Sequence, residues 1–422
     1  MIEKVPELSR SLTLKDAVAI GLGAIIGGGI FVVTGVAAGV AGPAFMLGLV
    51  IAGIIALFNG LSSAQLAAVF PQSGGTYEYG YRLLNPMAGF SAGWLFLLSK
   101  LSAAGVVALG LGSYIHELIP VLSPKSFSVI AIISLTAANY FGIKKAGQLN
   151  VVIVSITLLS LFYLIIVGVP EVKSVNFHPF APNGFPGIAE SAALMFFAFT
   201  GYARIATLAE EVRNPQKNIP RAIMITIFTA IGLYLLVAYV AMGVLGDGEM
   251  ANNPSPLQEV SNVIPALFLS PIITIGASTA MLGVLLSQIL GISRMMLAMG
   301  RRHDLAPKLK KVHHQYQVPH LGIIITGVLM IVITLLGSFG FILRAASFTI
   351  LVYYSITNLA ALQQPKSQQL YTKLIPILGL IGCLAMAISL PLSVITSGIF
   401  LLLSGWLIKW IFNTLFPVQL NK

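Results

Sequence analysis

Apolar stretches of about twenty residues recur along almost the whole chain, with short polar segments between them. Each stretch is long enough to cross the hydrocarbon core of a bilayer as an α-helix. Only 9% of the 422 residues are charged, whereas soluble globular proteins carry about 25%. The abundance of glycine and proline is also typical of helices that span lipid. The sequence therefore excludes a water-soluble fold and predicts an all-α integral membrane protein.

The apolar stretches predict twelve crossings. These lie near 14–40, 44–69, 87–115, 126–142, 146–169, 189–212, 219–245, 266–298, 321–338, 343–363, 372–390 and 393–415. Thr13 and Asp16 have the spacing of a capping box at the start of the first span. The first residues lack the pattern of a cleavable signal peptide, so the chain is expected to begin as mature sequence. An even number of crossings places both ends on one side of the membrane.

The distribution of positive charge predicts the orientation. Under this map only Lys125, Lys173 and Arg344 fall on the face opposite to the termini, and the other cations outside the spans share the face of the termini. The positive-inside rule then places both termini in the cytoplasm, in a plasma (inner) membrane protein. This topology signal and contact with anionic lipid, notably by the cations of 301–311, account for the net charge of +11 without a nucleic-acid partner.

Three residues near the C-terminus predict local features of the last spans. Lys409 and Trp410 predict an interface anchor for the last span. The lone Cys383 lies in an apolar run, which excludes an internal disulfide and predicts no disulfide-linked partner subunit.

Glycines predict that two spans are interrupted. Gly27, Gly28 and Gly29 stand together in the middle of the first span, where they weaken the helix, and Gly201 lies at the corresponding depth of the sixth. Interruptions five spans apart are what two inverted repeats of five helices produce.

The predicted organisation follows from these repeats. A cytoplasmic N-terminus (1–13) precedes the first repeat (14–169) and the second repeat (189–363), and two added helices (372–415) precede a cytoplasmic C-terminus (416–422). The alternative to an interruption in the first span is that Gly27, Gly28 and Gly29 form a face for close helix packing.

A helix interrupted inside a membrane offers a binding site made of main chain. The N–H groups that begin one half-helix and the carbonyls that end the other have no bulk water to satisfy them. The N–H groups suit a carboxylate, and the carbonyls suit an ammonium group or a metal cation. Because an amino acid carries both charges, the pattern predicts an amino acid transporter that works by alternating access.

Several motifs resemble the amino acid-polyamine-organocation (APC) superfamily of permeases. They are Gly23-Ala-Ile-Ile-Gly27-Gly28-Gly29-Ile-Phe31, Phe70-Pro-Gln-Ser-Gly74-Gly75-Thr76-Tyr77, Phe197-Ala-Phe-Thr-Gly201, Glu210-Glu211-Val-Arg-Asn214-Pro215 and Ile219-Pro220-Arg221-Ala222. The resemblance implies a five-plus-five inverted-repeat (LeuT-like) core with broken helices 1 and 6, two extra C-terminal helices, and secondary transport of amino acids or related amines.

The resemblance also implies which residues bind the substrate. These are Ile25, Gly27, Gly28, Gly29, Phe197, Thr200 and Gly201. The glycine amides would meet the substrate carboxylate, and the carbonyls of Ile25 and of residues near Phe197 and Thr200 would meet its amino group. Phe197 would act as an aromatic gate over the substrate, although without the family ordinary packing is the simpler interpretation.

A second site implied by the resemblance concerns the coupling ion. It would hold a small cation such as sodium between the carbonyls of Gly23 and Ile26 and the hydroxyl of Ser287. Some proton-coupled relatives have a lysine where this chain has Thr157. A threonine hydroxyl can help to bind sodium but cannot carry a proton near neutral pH, and it can equally bond its own helix. Both H⁺ and Na⁺ therefore remain candidates, and no cofactor is expected.

Lys100 and Arg204 are the two cations predicted inside the membrane, and no acidic residue is expected at their depth. Arg204 is interpreted as a structural or gating tie. Lys100 is a candidate for proton coupling because burial penalises its ammonium form, the alternatives being snorkelling and a bond to a carbonyl. Two cations without a carboxylate disfavour cationic substrates, which favours neutral amino acids and leaves another amine or an acidic amino acid as the alternative.

Two other classes of function are weighed against transport. A membrane-embedded enzyme needs clustered His, Asp or Glu at span depth, whereas the histidines of this chain lie at span ends or in loops. An ion channel needs an open polar pore, whereas paired broken helices favour one occluded site.

Overall fold

The computed structural model describes residues 11–70, 74–142, 146–208, 211–251 and 253–415, without the side chains of 146–150, 413 and 415. Predictions that concern 1–10, 416–422 or the motif residues Pro71, Gln72, Ser73 and Glu210 lie outside this part of the chain. Regular structure in the described ranges is helical, and their one extended pairing is an isolated parallel bridge between Leu12 and Val212.

The α-helices follow one another closely along the chain. In the first half they are α1 Leu14–Ile25, α2 Gly28–Ala41, α3 Phe45–Val69, α4 Thr76–Leu83, α5 Pro86–Leu118, α6 Pro124–Phe141, α7 Ala146–Gly168, α8 Gly184–Phe199 and α9 Ala203–Ala206. In the second half they are α10 Pro215–Leu245, α11 Asp247–Met250, α12 Pro256–Val263, α13 Leu269–Arg301, α14 His320–Leu336, α15 Phe339–Leu362, α16 Leu374–Ile388 and α17 Leu392–Leu415.

Within the described ranges, seven helical stretches are long and apolar enough to cross a membrane. They are Gly28–Val69, Pro86–Leu118, Val151–Glu171, Pro215–Leu245, Leu269–Arg301, Phe339–Leu362 and Leu392–Phe412. Two further apolar helices, α14 and α16, are shorter. The predicted class, an all-helical membrane protein, is confirmed, and the count of twelve crossings stays a prediction.

Local sequence signals set where several helices begin. The predicted capping box at α1 is present, because the Thr13 N–H donates to the Asp16 carboxylate at 2.8 Å and the Asp16 N–H donates back to the Thr13 hydroxyl at 3.4 Å. At α5, Pro86 occupies the first helical position, and the side chain of Asn85 accepts from the Ala88 N–H at 2.9 Å. Proline is well suited to this position because its missing N–H would have no partner there.

The helix α5 lies at the centre of the fold. Of its most apolar window 78% is buried, against 17% for α17, which lies at the periphery. It packs against α13 and α15, while α2 packs against α8. Lys100, about midway along α5, is therefore surrounded by other helices.

Candidate functional site

The first predicted interruption is present. Helix α1 ends at Ile25, and α2 begins at Gly28. Between them Ile26 has φ −77° and ψ 74°, and the Gly27 N–H donates to the Ile25 carbonyl at 2.8 Å, which makes an inverse γ-turn. No preceding helical turn therefore supplies carbonyls that could accept hydrogen bonds from the first N–H groups of α2, which begin with Gly28.

The second interruption is a short 3₁₀ turn, whereas the sequence predicted an unwound segment. Helix α8 ends at Phe199, residues 200–202 form one 3₁₀ turn, and α9 adds only four residues. The Thr200 N–H and hydroxyl both bond the Phe197 carbonyl, the hydroxyl at 3.0 Å. The interruption predicted at Gly201 in the span 189–212 is present, but the chain passes through it as a 3₁₀ turn, and the helix beyond it ends at Ala206.

The two interruptions lie against each other. A Cβ atom on Gly29 would stand 2.6 Å from the Cα of Ala198, and one on Gly201 would overlap the Ala24 carbonyl. Gly27 is similarly close to a neighbour, since its Cβ would stand 2.7 Å from a methyl of Val284. The glycines therefore serve close packing as well as interrupting the helix, so both interpretations of the triplet hold.

Tyr234 on α10 joins the two interruptions, and sequence reasoning missed it. Its hydroxyl donates to the Ile25 carbonyl at 2.7 Å and lies 3.4 Å from the Ala198 carbonyl. The Ile25 carbonyl also accepts from the Gly27 N–H, so two donors already occupy it. A substrate amino group at this carbonyl would have to share it with the Tyr234 hydroxyl or displace it.

A small cavity lies beside the second interruption. Its lining residues are Ser99, Lys100, Ala103, Phe197, Thr200, Ala346 and Ile350. It brings together three of the predicted residues, Lys100, Phe197 and Thr200, but Ile25 and the glycines of 27–29 do not line it. Its volume of about 10 Å³ is room for one water molecule. An amino acid does not fit in this cavity without movement of the surrounding helices.

Lys100 is the one charged side chain lining the cavity. It is half-buried, and its ammonium lies 5.9 Å from the centroid of the Phe96 ring. Among the side chains that the structure describes, no carboxylate forms an ion pair with it. Its charge is therefore the nearest one, among the lining residues, to anything that enters the cavity.

Arg204, expected inside the membrane, lies on α9 just past the second interruption. Its side chain is exposed, whereas its neighbours Ile205 and Ala206 are buried. Arg294 and Glu211 are charged groups near enough to act on it electrostatically. It does not line the cavity.

The residues proposed for ion coupling make other contacts. Thr157 is fully buried, and its hydroxyl donates to the Ile153 carbonyl at 2.8 Å and lies 3.4 Å from the Gly276 carbonyl. The Ser287 hydroxyl is exposed and donates to Val284 within its own helix. Gly23 is half-buried and Ile26 is buried. Neither hydroxyl bonds the Gly23 or Ile26 carbonyl, so the sodium site stays a prediction.

A charged cluster where α4, the segment after α13 and α17 meet was not predicted. The buried Asp304 accepts hydrogen bonds from Tyr77 at 2.6 Å and Tyr81 at 2.7 Å, and lies 3.1 Å from the Lys409 ammonium. Burial and the bond to Asp304 raise the pKa of both tyrosines well above its usual value. Lys409 is thus an ion-pair partner as well as a span-end residue.

The same cluster corrects the expectation for Arg302. Instead of facing lipid headgroups alone, Arg302 pairs with Glu78 at 2.8 Å and lies over the Tyr81 ring at 4.1 Å. Helix α4, the segment after α13 and α17 are held together by these contacts.

Comparison with known proteins gives consistent matches. A profile of the amino acid permease family matches residues 16–414. An uncharacterized transporter of Mycobacterium tuberculosis is 39% identical over 398 residues, which cover 93% of this chain and 89% of the relative. A branched-chain amino acid permease of Bacillus subtilis is 32% identical over 75% of this chain and 72% of its own length. Cationic amino acid transporter 9, chloroplastic, of Arabidopsis thaliana is 30% identical over 72% of this chain and 58% of its own length.

The relatives are named transporters or permeases, which favours transport over catalysis. The fold agrees with the match, since the described chain is helical and the first and sixth predicted spans are interrupted and touch each other. The chain belongs to the amino acid permease family of the APC superfamily.

Proposed function

We propose that this protein is a secondary active transporter of neutral amino acids that works by alternating access. The observation that carries the proposal is the contact between two interrupted helices beside a cavity whose only charged lining residue is Lys100. We further propose twelve crossings, a five-plus-five inverted repeat with two added helices, and a plasma-membrane location with both termini in the cytoplasm. The interrupted helices and the charge asymmetry of the sequence support this arrangement.

The preference for neutral substrates rests on Lys100. An ammonium group without a described carboxylate partner repels a second cation in a region of low dielectric constant. The apolar side chains of Ala103, Ala346 and Ile350 line the same cavity and suit an aliphatic substrate side chain. A relative named as a branched-chain permease agrees with this choice. Cationic amino acids are the rival substrates, since another relative is named for them.

Uptake into proteoliposomes tests the substrate class. The wild-type protein is expected to take up labelled leucine in preference to labelled lysine. In Lys100→Met the ratio of lysine to leucine uptake is expected to rise about 30-fold, since a like charge about 8 Å away costs about 2 kcal/mol at an effective dielectric constant of about 20. The control is Lys173→Met, which removes an exposed lysine far from the cavity lining. Preferential lysine uptake by the wild-type protein would refute the assignment.

For coupling, we propose protons rather than sodium. Lys100 faces the cavity, whereas the hydroxyls of Thr157 and Ser287 bond carbonyls other than those of the proposed sodium site. A half-buried lysine can bind and release a proton as its surroundings open and close. No cofactor is needed.

The coupling proposal predicts a specific loss. An imposed inward proton gradient is expected to accelerate leucine uptake by the wild-type protein and to have no effect on Lys100→Met, while replacing sodium with choline leaves both unchanged. If Lys100→Met still accumulates leucine in response to the proton gradient, Lys100 is not the coupling group. A dependence of uptake on sodium would instead support the predicted sodium site of Gly23, Ile26, Thr157 and Ser287.

A further inference from the structure

An ion pair joins two helices that line the cavity. The Nε atom of Arg344 on α15 lies 2.7 Å from a carboxylate oxygen of Glu190 on α8. The side chain of Arg344 is 23% exposed and that of Glu190 is 18% exposed, so the pair is half-buried. The Arg344 guanidinium also donates a long hydrogen bond of 3.4 Å to the Gly340 carbonyl.

The pair stands at one end of the cavity. Phe197 follows Glu190 by two helical turns, about 10 Å along α8, and Ala346 and Ile350 follow Arg344 along α15. Further along, the two helices meet again, where the rings of Phe196 on α8 and Tyr354 on α15 pack edge to face at 5.7 Å. Helices α8 and α15 thus run side by side in the same direction, with the ion pair at their beginnings.

Backbone contacts place the start of α8 beside the end of α2. The Asn183 side chain, just before α8, donates to the Val40 carbonyl at the end of α2 at 2.7 Å. The Ala44 N–H donates to the Phe180 carbonyl at 2.8 Å. Helix α8 therefore begins where α2 ends, at the side of the membrane opposite to the start of α1, here called the far side.

We propose that Glu190 and Arg344 form the far-side gate of the transport pathway. This inference rests on the proposed transport function and assigns these residues the closing of the same site. With the pair formed, as in this structure, α8 and α15 are held together over the cavity. With the pair broken, the two helices separate at their far-side ends, and the cavity opens to the solution there. Both partners can be hydrated when they part, because both are already partly exposed.

An introduced cysteine tests the gate without any substrate. Ala103→Cys places a thiol on the cavity lining, and the native Cys383 is fully buried. With membrane-impermeant maleimide added to intact cells, Glu190→Gln is expected to raise the labelling rate of this thiol about fivefold, which is what losing an ion pair of ordinary strength gives. The exchanged pair Glu190→Arg with Arg344→Glu is expected to label at the parent rate. Glu171→Gln, an exposed far-side acid, is the matched control and should change nothing.

Two outcomes would overturn the gate: Glu190→Gln labels no faster than the parent, or the exchanged pair labels as fast as Glu190→Gln. Should Ala103→Cys fail to reach the membrane, Ser99→Cys reports on the same cavity. Leucine uptake is measured separately on the same variants. A protein that transports no amino acid but still shows the labelling pattern would count against the proposed function and not against the gate.

Discussion

Gly201→Ala is expected to abolish amino acid uptake and to lower the melting temperature of the purified protein. A Cβ atom at this position would overlap the Ala24 carbonyl and lie 2.6 Å from the Ile25 nitrogen. Both are backbone atoms, which cannot turn away as a side chain can. Overpacking of this kind costs about 1–3 kcal/mol or more. Here it also pushes apart the two interrupted helices on which the proposed site depends.

Gly232→Ala is the matched control for this substitution. Gly232 lies within α10, and a Cβ atom there would meet nothing within 4 Å. Alanine favours a helix over glycine by about 0.5–1 kcal/mol, so this variant should be as stable as the wild-type protein or slightly more stable, with unchanged uptake. Normal uptake and an unchanged melting temperature for Gly201→Ala would show that the contact between the interruptions is not essential.

Glycine made the interruptions predictable, but not their shape. Three consecutive glycines in an apolar run have few explanations, so the break between α1 and α2 was foreseen from local sequence alone. The lone Gly201 gave a weaker signal, and it marks a 3₁₀ turn instead of an open gap. Helix propensity predicts where a helix is unstable, whereas tertiary contacts determine the backbone conformation that the chain adopts there.

Contacts between distant parts of the chain escaped prediction. Tyr234 lies 209 residues after Ile25, whose carbonyl it bonds, and nothing in its neighbourhood distinguishes it from other tyrosines of apolar helices. Glu190 and Arg344 each resemble an ordinary charge near a span end until the fold pairs them. The end of the sixth span was missed for a different reason, since hydropathy extended the span to 212 whereas α9 ends at Ala206.

Asp304→Asn is expected to destabilise the protein by about 3 kcal/mol, the usual cost of leaving a buried charge without its partner. The side chain of Asp304 is 5% exposed and that of Lys409 is 14% exposed, so the lysine left behind cannot recover full hydration. Asparagine keeps an acceptor for the hydroxyls of Tyr77 and Tyr81, which confines most of the loss to the charge. The melting temperature of the purified protein measures the effect, and Lys308→Met, an exposed lysine of the adjoining segment, should not change it.

The double variant Asp304→Asn with Lys409→Met separates a charge effect from a general loss of packing. Removing both charges leaves no uncompensated ion, so the double variant is expected to be more stable than Asp304→Asn alone, although it gives up the contacts of the Lys409 ammonium with the Tyr81 and Phe90 rings. The coupling energy from the four melting curves should therefore favour the native pair by at least about 1 kcal/mol. Strictly additive losses would mean that the charge pair itself contributes nothing, and that Lys409 joins α17 to α4 through the hydrogen bond of its ammonium to the Tyr81 hydroxyl and its contact with the Tyr81 ring.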